Sequence, residues 1–378
     1  MKFLLLLFSL LLLNCTTPNQ IFESSVFLNG EGDYACYRIP AIIQTPQGTL
    51  MAFAEGRKTG CSDFGDVDLL LKTSKDNGLH WSKAQVVAEF DSLQAGNPAP
   101  VIDLFDANYP EGRVFLFYNT GTASEHNVRL GKGTREVLYI TSSNEGVDWS
   151  QPINITPQVH FNKNAGKASK DWRTHATTPG HAFQFKNPPY QGRLYIPANH
   201  SQGPPQEGFN EYRAYGFYTD DHGQTFRVSP DLKTPSSNEA IGVELPSGQL
   251  MLNVREQNGA TKTRLIALSD SGGENWDNEY FDQALISPVC QSSLLVFEGL
   301  KDTLLLYSGP NSKSKRVKMT IKGSQDEGKS WPYQKEIFSG TAAYSDLVQI
   351  DLNTIGLFYE KEGSGLFFKH LPLSELKK

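Results

Sequence analysis

One eight-residue pattern, Ser/Thr-x-Asp-x-Gly-x-x-aromatic, recurs five times and constrains this chain more than any bulk property. It reads SKDNGLHW at 74–81, SSNEGVDW at 142–149, TDDHGQTF at 219–226, SDSGGENW at 269–276 and SQDEGKSW at 324–331. The second copy has Asn144 in the acid position; the fourth has Ser271 there, with an acid one place earlier. Each copy follows an extended apolar run and precedes a shorter extended segment, which is the arrangement of a hairpin turn. Gly takes a positive-φ position, the Asp carboxylate accepts turn N–H groups, and the aromatic covers the layer beneath. The acids of these boxes are therefore read as structural.

The box glycines, Gly78, Gly146, Gly223, Gly273 and Gly328, stand 50 to 77 residues apart. Units of this size with about four short strands each predict propeller blades. Runs at 37–43, 49–55, 66–73 and 85–90 make one blade, and the same order recurs around 98–155, 181–229, 239–282 and 290–338. After the last box three runs remain, at 343–350, 355–360 and 365–371. The isolated run IFESSVFL at 21–28 supplies the missing fourth strand and clasps the two termini together. The prediction is an all-β, six-bladed β-propeller filling residues 21–378 as one domain. The polar, non-periodic stretch 156–179 is read as a long loop on the functional rim.

The N-terminus is read as targeting rather than fold. Lys2 precedes an apolar run from Phe3 to Leu13, the length of a signal-peptide core, so residues 1–14 are expected to be removed. The run ends in Leu12-Leu13-Asn14-Cys15, which resembles a bacterial lipobox with Cys15 as the lipidated residue and 15–20 as a short tether. Asn14 departs from the usual small residue, so plain secretion is the alternative; either way the protein is expected to be exported. Cys36, Cys61 and Cys290 then remain. They read as buried thiols, with a Cys36–Cys61 pair as the alternative. A net charge of −6 and the lack of a long basic run argue against a nucleic-acid partner. The membrane enters only through the lipid anchor, and a monomer is expected.

Ligands of propellers bind where inner strands converge on the axis, so acids, Arg and Tyr on first and second strands carry the functional information. The chain offers Tyr37-Arg38-Ile39-Pro40, AFAEGR ending at Arg57, Asp63, NPAPVID ending at Asp103, the run from Glu239 to Arg255, Arg316, AYSDL with Tyr344, and FYE with Glu360. Taken in this order with the boxes, YRIP, LMAFAEGR, NPAPVID, LNVR and AYSDL resemble the bacterial and animal sialidases (neuraminidases). The resemblance runs from about residue 30 to 371.

It implies a retaining exo-α-sialidase acting on glycoproteins, glycolipids or oligosaccharides, with no metal or organic cofactor. Sialic acid carries a carboxylate on its anomeric carbon, and three guanidiniums grip such a planar anion bidentately while staying charged at any working pH. By similarity these are Arg38, Arg255 and Arg316, with Glu360 as the counter-charge that orients Arg38. Tyrosine is known as the sialidase nucleophile, and the resemblance puts it at Tyr344. A phenol avoids the repulsion a carboxylate nucleophile would meet, but it needs a base, for which Glu239 matches and Glu244 competes. Asp63, in the Gly-flanked loop GCSDFGD, matches the general acid, with Asp66 and Asp68 as neighbouring alternatives. Arg57 would contact ring hydroxyls, and Asp103 is either another hydroxyl acceptor or a strand-end turn acid. His175, His181 and His200 fit no standard metal spacing and read as rim or core residues. A trans-sialidase-type transfer enzyme and a non-hydrolytic glycan-binding propeller are the competing functions. The second would not require Tyr344, Glu239, Asp63 and three arginines together.

Overall fold

The computed structural model describes residues 20–161 and 170–378. The expected targeting segment 1–14 and Cys15 lie outside the described residues.

The described strands form six four-stranded antiparallel units around a common axis. Blade I comprises Cys36–Gln44, Leu50–Arg57, Val67–Ser74 and Gln85–Ala88; blade II comprises Gln94–Asp103, Arg113–Gly121, Arg135–Ser142 and Ile153–Asn154. A single parallel pair, Val67 with Gln94, ties these two together. Blade III is Trp172–Thr177, Leu194–Gln202, Tyr212–Thr219 and Arg227–Val228, with Phe183–Gln184 also paired to its second strand. Blade IV is Ser237–Glu244, Leu250–Glu256, Thr263–Ser269 and Asn278–Ile286. Blade V is Ser293–Glu298, Thr303–Pro310, Val317–Ser324 and Tyr333–Thr341. Blade VI joins Ser345–Asp351, Thr354–Lys361 and Gly365–Pro372 to the N-terminal strand Phe22–Leu28, which runs from Phe22 opposite His370 to Leu28 opposite Gly365. The expected clasp of the termini is present. The seam to blade I is closed by Ser24, whose hydroxyl donates to Gly78 O (2.6 Å) and accepts from Trp81 Nε1 (3.0 Å).

All five boxes share one hydrogen-bond scheme. The first-position hydroxyl (Ser74, Ser142, Thr219, Ser269 or Ser324) accepts the glycine N–H at 2.8–2.9 Å. The third-position side chain accepts the N–H four residues on: His80 to Asp76, Asp148 to Asn144, Thr225 to Asp221, Asn275 to Ser271 and Ser330 to Asp326. Asn144 and Ser271 thus do the same work as the acids. Both central turn positions are left-handed. Gly78 at φ 88° follows Asn77 at φ 60°, and the other four boxes repeat this. A Cβ at Gly78 would also fall 2.2 Å from the Phe368 ring. The position therefore needs glycine for its backbone and for its space.

The stretch 156–179 corrects the sequence reading. It is not loop throughout, because it holds a one-turn helix at Thr156–Val159 and the innermost strand of blade III, Trp172–Thr177. That strand escapes a hydrophobicity-based reading because its buried side chains include Thr174, His175 and Thr177. His175 packs edge-on to Tyr215 and His160, and Trp172 stacks on His200 at 3.6 Å. Burial pulls all three imidazoles down, His160 to about 3, so they are neutral core rings.

At the axis, Asp346 links four blades. Its carboxylate accepts Ile42 N (2.9 Å), His181 N (3.0 Å) and Ser293 Oγ (2.8 Å), and its Oδ1 lies 2.8 Å from His181 Nδ1. The acid of AYSDL and His181 are thus structural.

Candidate active site

Antiparallel connectivity sorts the polar residues by end. Starts of first strands and ends of second strands lie at one end of the propeller; ends of first strands and the boxes lie at the other. Arg38, Glu239 and Tyr344 sit at or just before first-strand starts, and Arg57, Arg255 and Glu360 sit at second-strand ends. Arg316 immediately precedes a third strand, which begins at the same end. The first strands enter through irregularities that turn side chains toward the axis. Pairing shifts between Arg38 and Ala41, between Gly96 and Ala99, and between Ser237 and Ala240. Ile39 at φ 60° and Asn97 at φ 55° mark two of these bulges.

Tyr344 is the centre. Its hydroxyl donates to Glu239 Oε1 and accepts from Arg255 Nη1 (3.1 Å), while the same Nη1 lies 2.6 Å from Glu239 Oε2. The Arg38 and Arg316 guanidiniums stand over its ring at 5.1 and 5.6 Å from the centroid. Burial and the Glu239 carboxylate push the Tyr344 hydroxyl well up, against the lowering pull of the three arginines, so at rest it is a neutral phenol. Glu244, the competitor for the base, is at the far end of its strand and accepts Lys186 N and Asn187 N.

The arginines differ in what already holds them. Arg38 Nε and Nη2 each meet a Glu360 oxygen at 3.2 Å, and Glu360 is itself fixed by Ile39 N and Tyr344 N. Arg255 has a buried Nε with no partner among the described residues. Arg316 donates to the Val289 carbonyl rather than to a carboxylate. A desolvated donor and a cation whose hydrogen bonds, among the described residues, go to a carbonyl, both beside one tyrosine, leave the site with unmet demand for an anion.

Asp63 lies on the loop after Arg57 and is largely exposed. Partial desolvation by the surrounding protein would raise its carboxyl, but Arg57 Nη1 at 2.8 Å and Arg38 Nη1 at 3.2 Å hold it below the usual carboxylate range. Arg57 is more engaged than expected of a residue reserved for ring hydroxyls. It is buried, and its Nε and Nη2 bond Glu55 Oε2 at 3.0 and 2.7 Å. Asp66 and Asp68 pair with Lys58, and Asp68 also accepts Tyr34 Oη, which leaves neither aimed at the site.

Two sequence expectations are corrected. Asp103 ends its strand nine residues beyond Gln94, a span of about 30 Å at the usual rise per residue, whereas Gln94 bonds the Asp63 carbonyl at the site end. Asp103 is wholly buried at the box end, where it accepts Gln184 Nε2 and Phe105 N and meets His222 Nδ1 at 2.8 Å. It is the strand-end acid, not a ligand contact. Cys36 and Cys61 are not thiols; they form a disulfide with Cα atoms 5.3 Å apart. The pairing was hard to read because Cys36 enters a strand and Cys61 a Gly-rich loop, and only the cross-strand register of Cys36 with Arg57 brings them together.

Sequence reasoning passed over Glu55 and Asn97. Glu55 fixes Arg57 and accepts Asn97 N at 2.9 Å, joining blades I and II beneath the Asp63 loop. Its signal was a carboxylate two residues before Arg57, at the end of the apolar run that opens the strand LMAFAEGR.

A propeller end that crowds three guanidiniums around a carboxylate-bonded tyrosine defines a protein built to grip an anionic ligand beside an activatable hydroxyl. Comparisons with known proteins agree. A family model described as a BNR repeat-like domain matches residues 48–356. The sialidase of Micromonospora viridifaciens is 29% identical, with 94% of this chain and 54% of that protein covered. The sialidase of Bacteroides fragilis (strain YCH46) is 27% identical, covering 92% of this chain and 64% of the relative. Among solved structures, Hadza microbial sialidase Hz136 superposes with a TM-score of 0.77 at 24% identity, over 91% of this chain and 67% of its own. The chain belongs to the sialidase family of BNR-repeat propellers. It spans a little over half to two thirds of the length of these relatives.

Proposed function

We propose that this chain is a retaining exo-α-sialidase that removes terminal α-linked sialic acid from glycoproteins, glycolipids or oligosaccharides. The observation that carries this reading is the Tyr344 hydroxyl, bonded at once to Glu239 and Arg255. The substrate carboxylate takes the Arg255 Nε and the free faces of Arg38 and Arg316. Tyr344 Oη attacks the anomeric carbon as its proton passes to Glu239 Oε1, and the glycosidic C–O bond breaks. Asp63 gives its proton to the departing oxygen, which leaves as the alcohol. In the second half-reaction the Asp63 carboxylate takes a proton from water as that water attacks the same carbon. The Tyr344–carbon bond breaks and Glu239 returns its proton to Tyr344. Two displacements at one carbon retain configuration.

Turnover of a fluorogenic aryl sialoside with chelator present tests the reading, with NMR to identify the first anomer released. Release of the α-anomer supports it. The β-anomer first, or no turnover, would replace it with an inverting enzyme or a non-hydrolytic glycan binder. The apolar Phe3–Leu13 run and the disulfide both support export, since disulfides persist in oxidising compartments. Attachment through a lipidated Cys15 is part of the same proposal, and radiolabelled fatty acid incorporation lost in Cys15→Ser tests it.

A further inference from the structure

We propose that the Cys36–Cys61 disulfide is a positioning device for the proton donor, holding the 58–66 loop so that Asp63 stands within reach of the leaving-group oxygen. The inference rests on the hydrolase reading above and concerns a crosslink to which that mechanism assigns no role.

The loop has little else to hold it. Residues 61–63 are exposed, and Gly60 and Gly65 both have positive φ, at 146° and 155°, with no atom near enough to a Cβ at Gly60 to crowd it. Its base is closed by Lys58 N to Asp66 O at 3.1 Å. Its tip is tied by Gln94 Nε2 to Asp63 O at 2.9 Å and by Arg57 Nη1 to Cys61 O at 2.7 Å. The remaining ties are the Lys58–Asp66 ion pair, which is confined to the base, and at the tip the ion pairs of Asp63 with Arg57 and Arg38.

The Asp63 ion pairs fail when they are needed. To donate a proton Asp63 must be neutral, and a neutral carboxyl gives up its charge-dependent attraction to both guanidiniums. Arg38 is also the group expected to turn toward the substrate carboxylate. The disulfide does not depend on charge. It joins Cys61, two residues before Asp63, to Cys36, a buried residue two positions before Arg38 on the innermost strand. The donor is thereby referenced to the same strand that carries a carboxylate-binding arginine, in either protonation state.

The test compares oxidised wild type with the Cys36→Ser/Cys61→Ser variant on two substrates. Sialyl-lactose leaves as a sugar alkoxide that needs protonation, and a coumarin sialoside leaves as a stable phenolate. A misplaced donor should cost about tenfold or more in kcat on sialyl-lactose but about twofold or less on the coumarin substrate, with binding of an unsaturated sialic-acid analogue retained. In an Asp63→Asn background, removing the disulfide should add no further loss on sialyl-lactose. Reduction and alkylation of wild type, with folding followed by tryptophan fluorescence, supplies the same comparison if the double variant does not accumulate. Equal losses on both substrates, or no loss on either, would overturn the proposal. Oxidised wild type inactive on both sialosides would instead overturn the hydrolase reading, and this inference with it.

Discussion

At the box end of the propeller, Asp76, Asp221 and Asp326 each accept hydrogen bonds from residues two to four positions away in their own turns. At the opposite end, Glu239 meets Tyr344 across 105 residues and Glu360 meets Arg38 across 322. The same propeller therefore carries carboxylates of two kinds. One kind stabilises a local turn and can be replaced by any acceptor of suitable reach, as Asn144 and Ser271 demonstrate. The other exists only when distant blades meet, because Tyr344 of blade VI reaches Glu239 of blade IV and Arg38 of blade I reaches Glu360 of blade VI. Damage at the box end should thus appear as lost stability, and damage at the site end as lost chemistry on an intact fold.

The sharpest test of that contrast is Tyr344→Phe. Only an oxygen is removed, and Glu239 and Arg255 keep their own 2.6 Å contact, so the fold should stand. Turnover should fall by at least about two orders of magnitude while an unsaturated sialic-acid analogue still binds. Steady-state kinetics beside calorimetric binding decide the matter, and near-wild-type turnover would remove Tyr344 from the chemistry.

Asp63→Asn comes next, with a loss of about two orders of magnitude on sialyl-lactose and far less on an aryl sialoside. The sign of the pH dependence follows from the unliganded arrangement. Arg57 and Arg38 depress the Asp63 carboxyl, so the free enzyme holds it ionised except at acid pH. Because kcat/KM reports free-enzyme protonation, kcat/KM on sialyl-lactose should decline as pH rises from the acid side. A profile flat from pH 4 to 7 would show that Asp63 does not supply the proton.

Arg255→Lys should be milder, weakening analogue binding by about 1–3 kcal/mol, because a point charge cannot reproduce a planar two-point grip. Titration calorimetry measures it, and unchanged affinity would place Arg255 outside the ligand contacts.

The same division between local and distant partners explains what could be read from the sequence. The boxes, the blade count and the clasp by 21–28 were legible because turn chemistry and strand periodicity are local. The inner strand Trp172–Thr177 was not, because its buried side chains include the polar Thr174 and His175, the latter packed against Tyr215 of a neighbouring strand. At the site, Arg38, Glu239, Arg255 and Tyr344 were named through family resemblance and are brought together by the fold. Asp103 stayed between two roles because a strand sequence does not announce which end faces the ligand; only the antiparallel connectivity does. The disulfide required a cross-strand register that sequence separation conceals.

The smallest expected effect lies at the box end and compares two replacements of Asp326. Its carboxylate accepts Ser330 Oγ (2.6 Å), Ser330 N (2.8 Å) and Ser324 Oγ (2.7 Å), and these bonds, the Ser330 hydroxyl first, hold its carboxyl down to about 2. Asp326→Ala leaves the turn N–H and hydroxyls without their acceptor and should cost about 1–3 kcal/mol. Asp326→Asn keeps an acceptor, as Asn144 does in the second box, and should cost under about 1 kcal/mol, because this exposed site is screened by water. A depressed folded-state carboxyl contributes stability above its unfolded value near 4, and that contribution is lost as pH falls through about 2. The gap between wild type and Asp326→Asn should therefore be full at pH 6 and close toward pH 2. KM should not change in either variant. Urea unfolding at several pH values measures the gap. A gap independent of pH would mean that the carboxylate charge contributes nothing, and that the boxes rest on acceptor geometry alone.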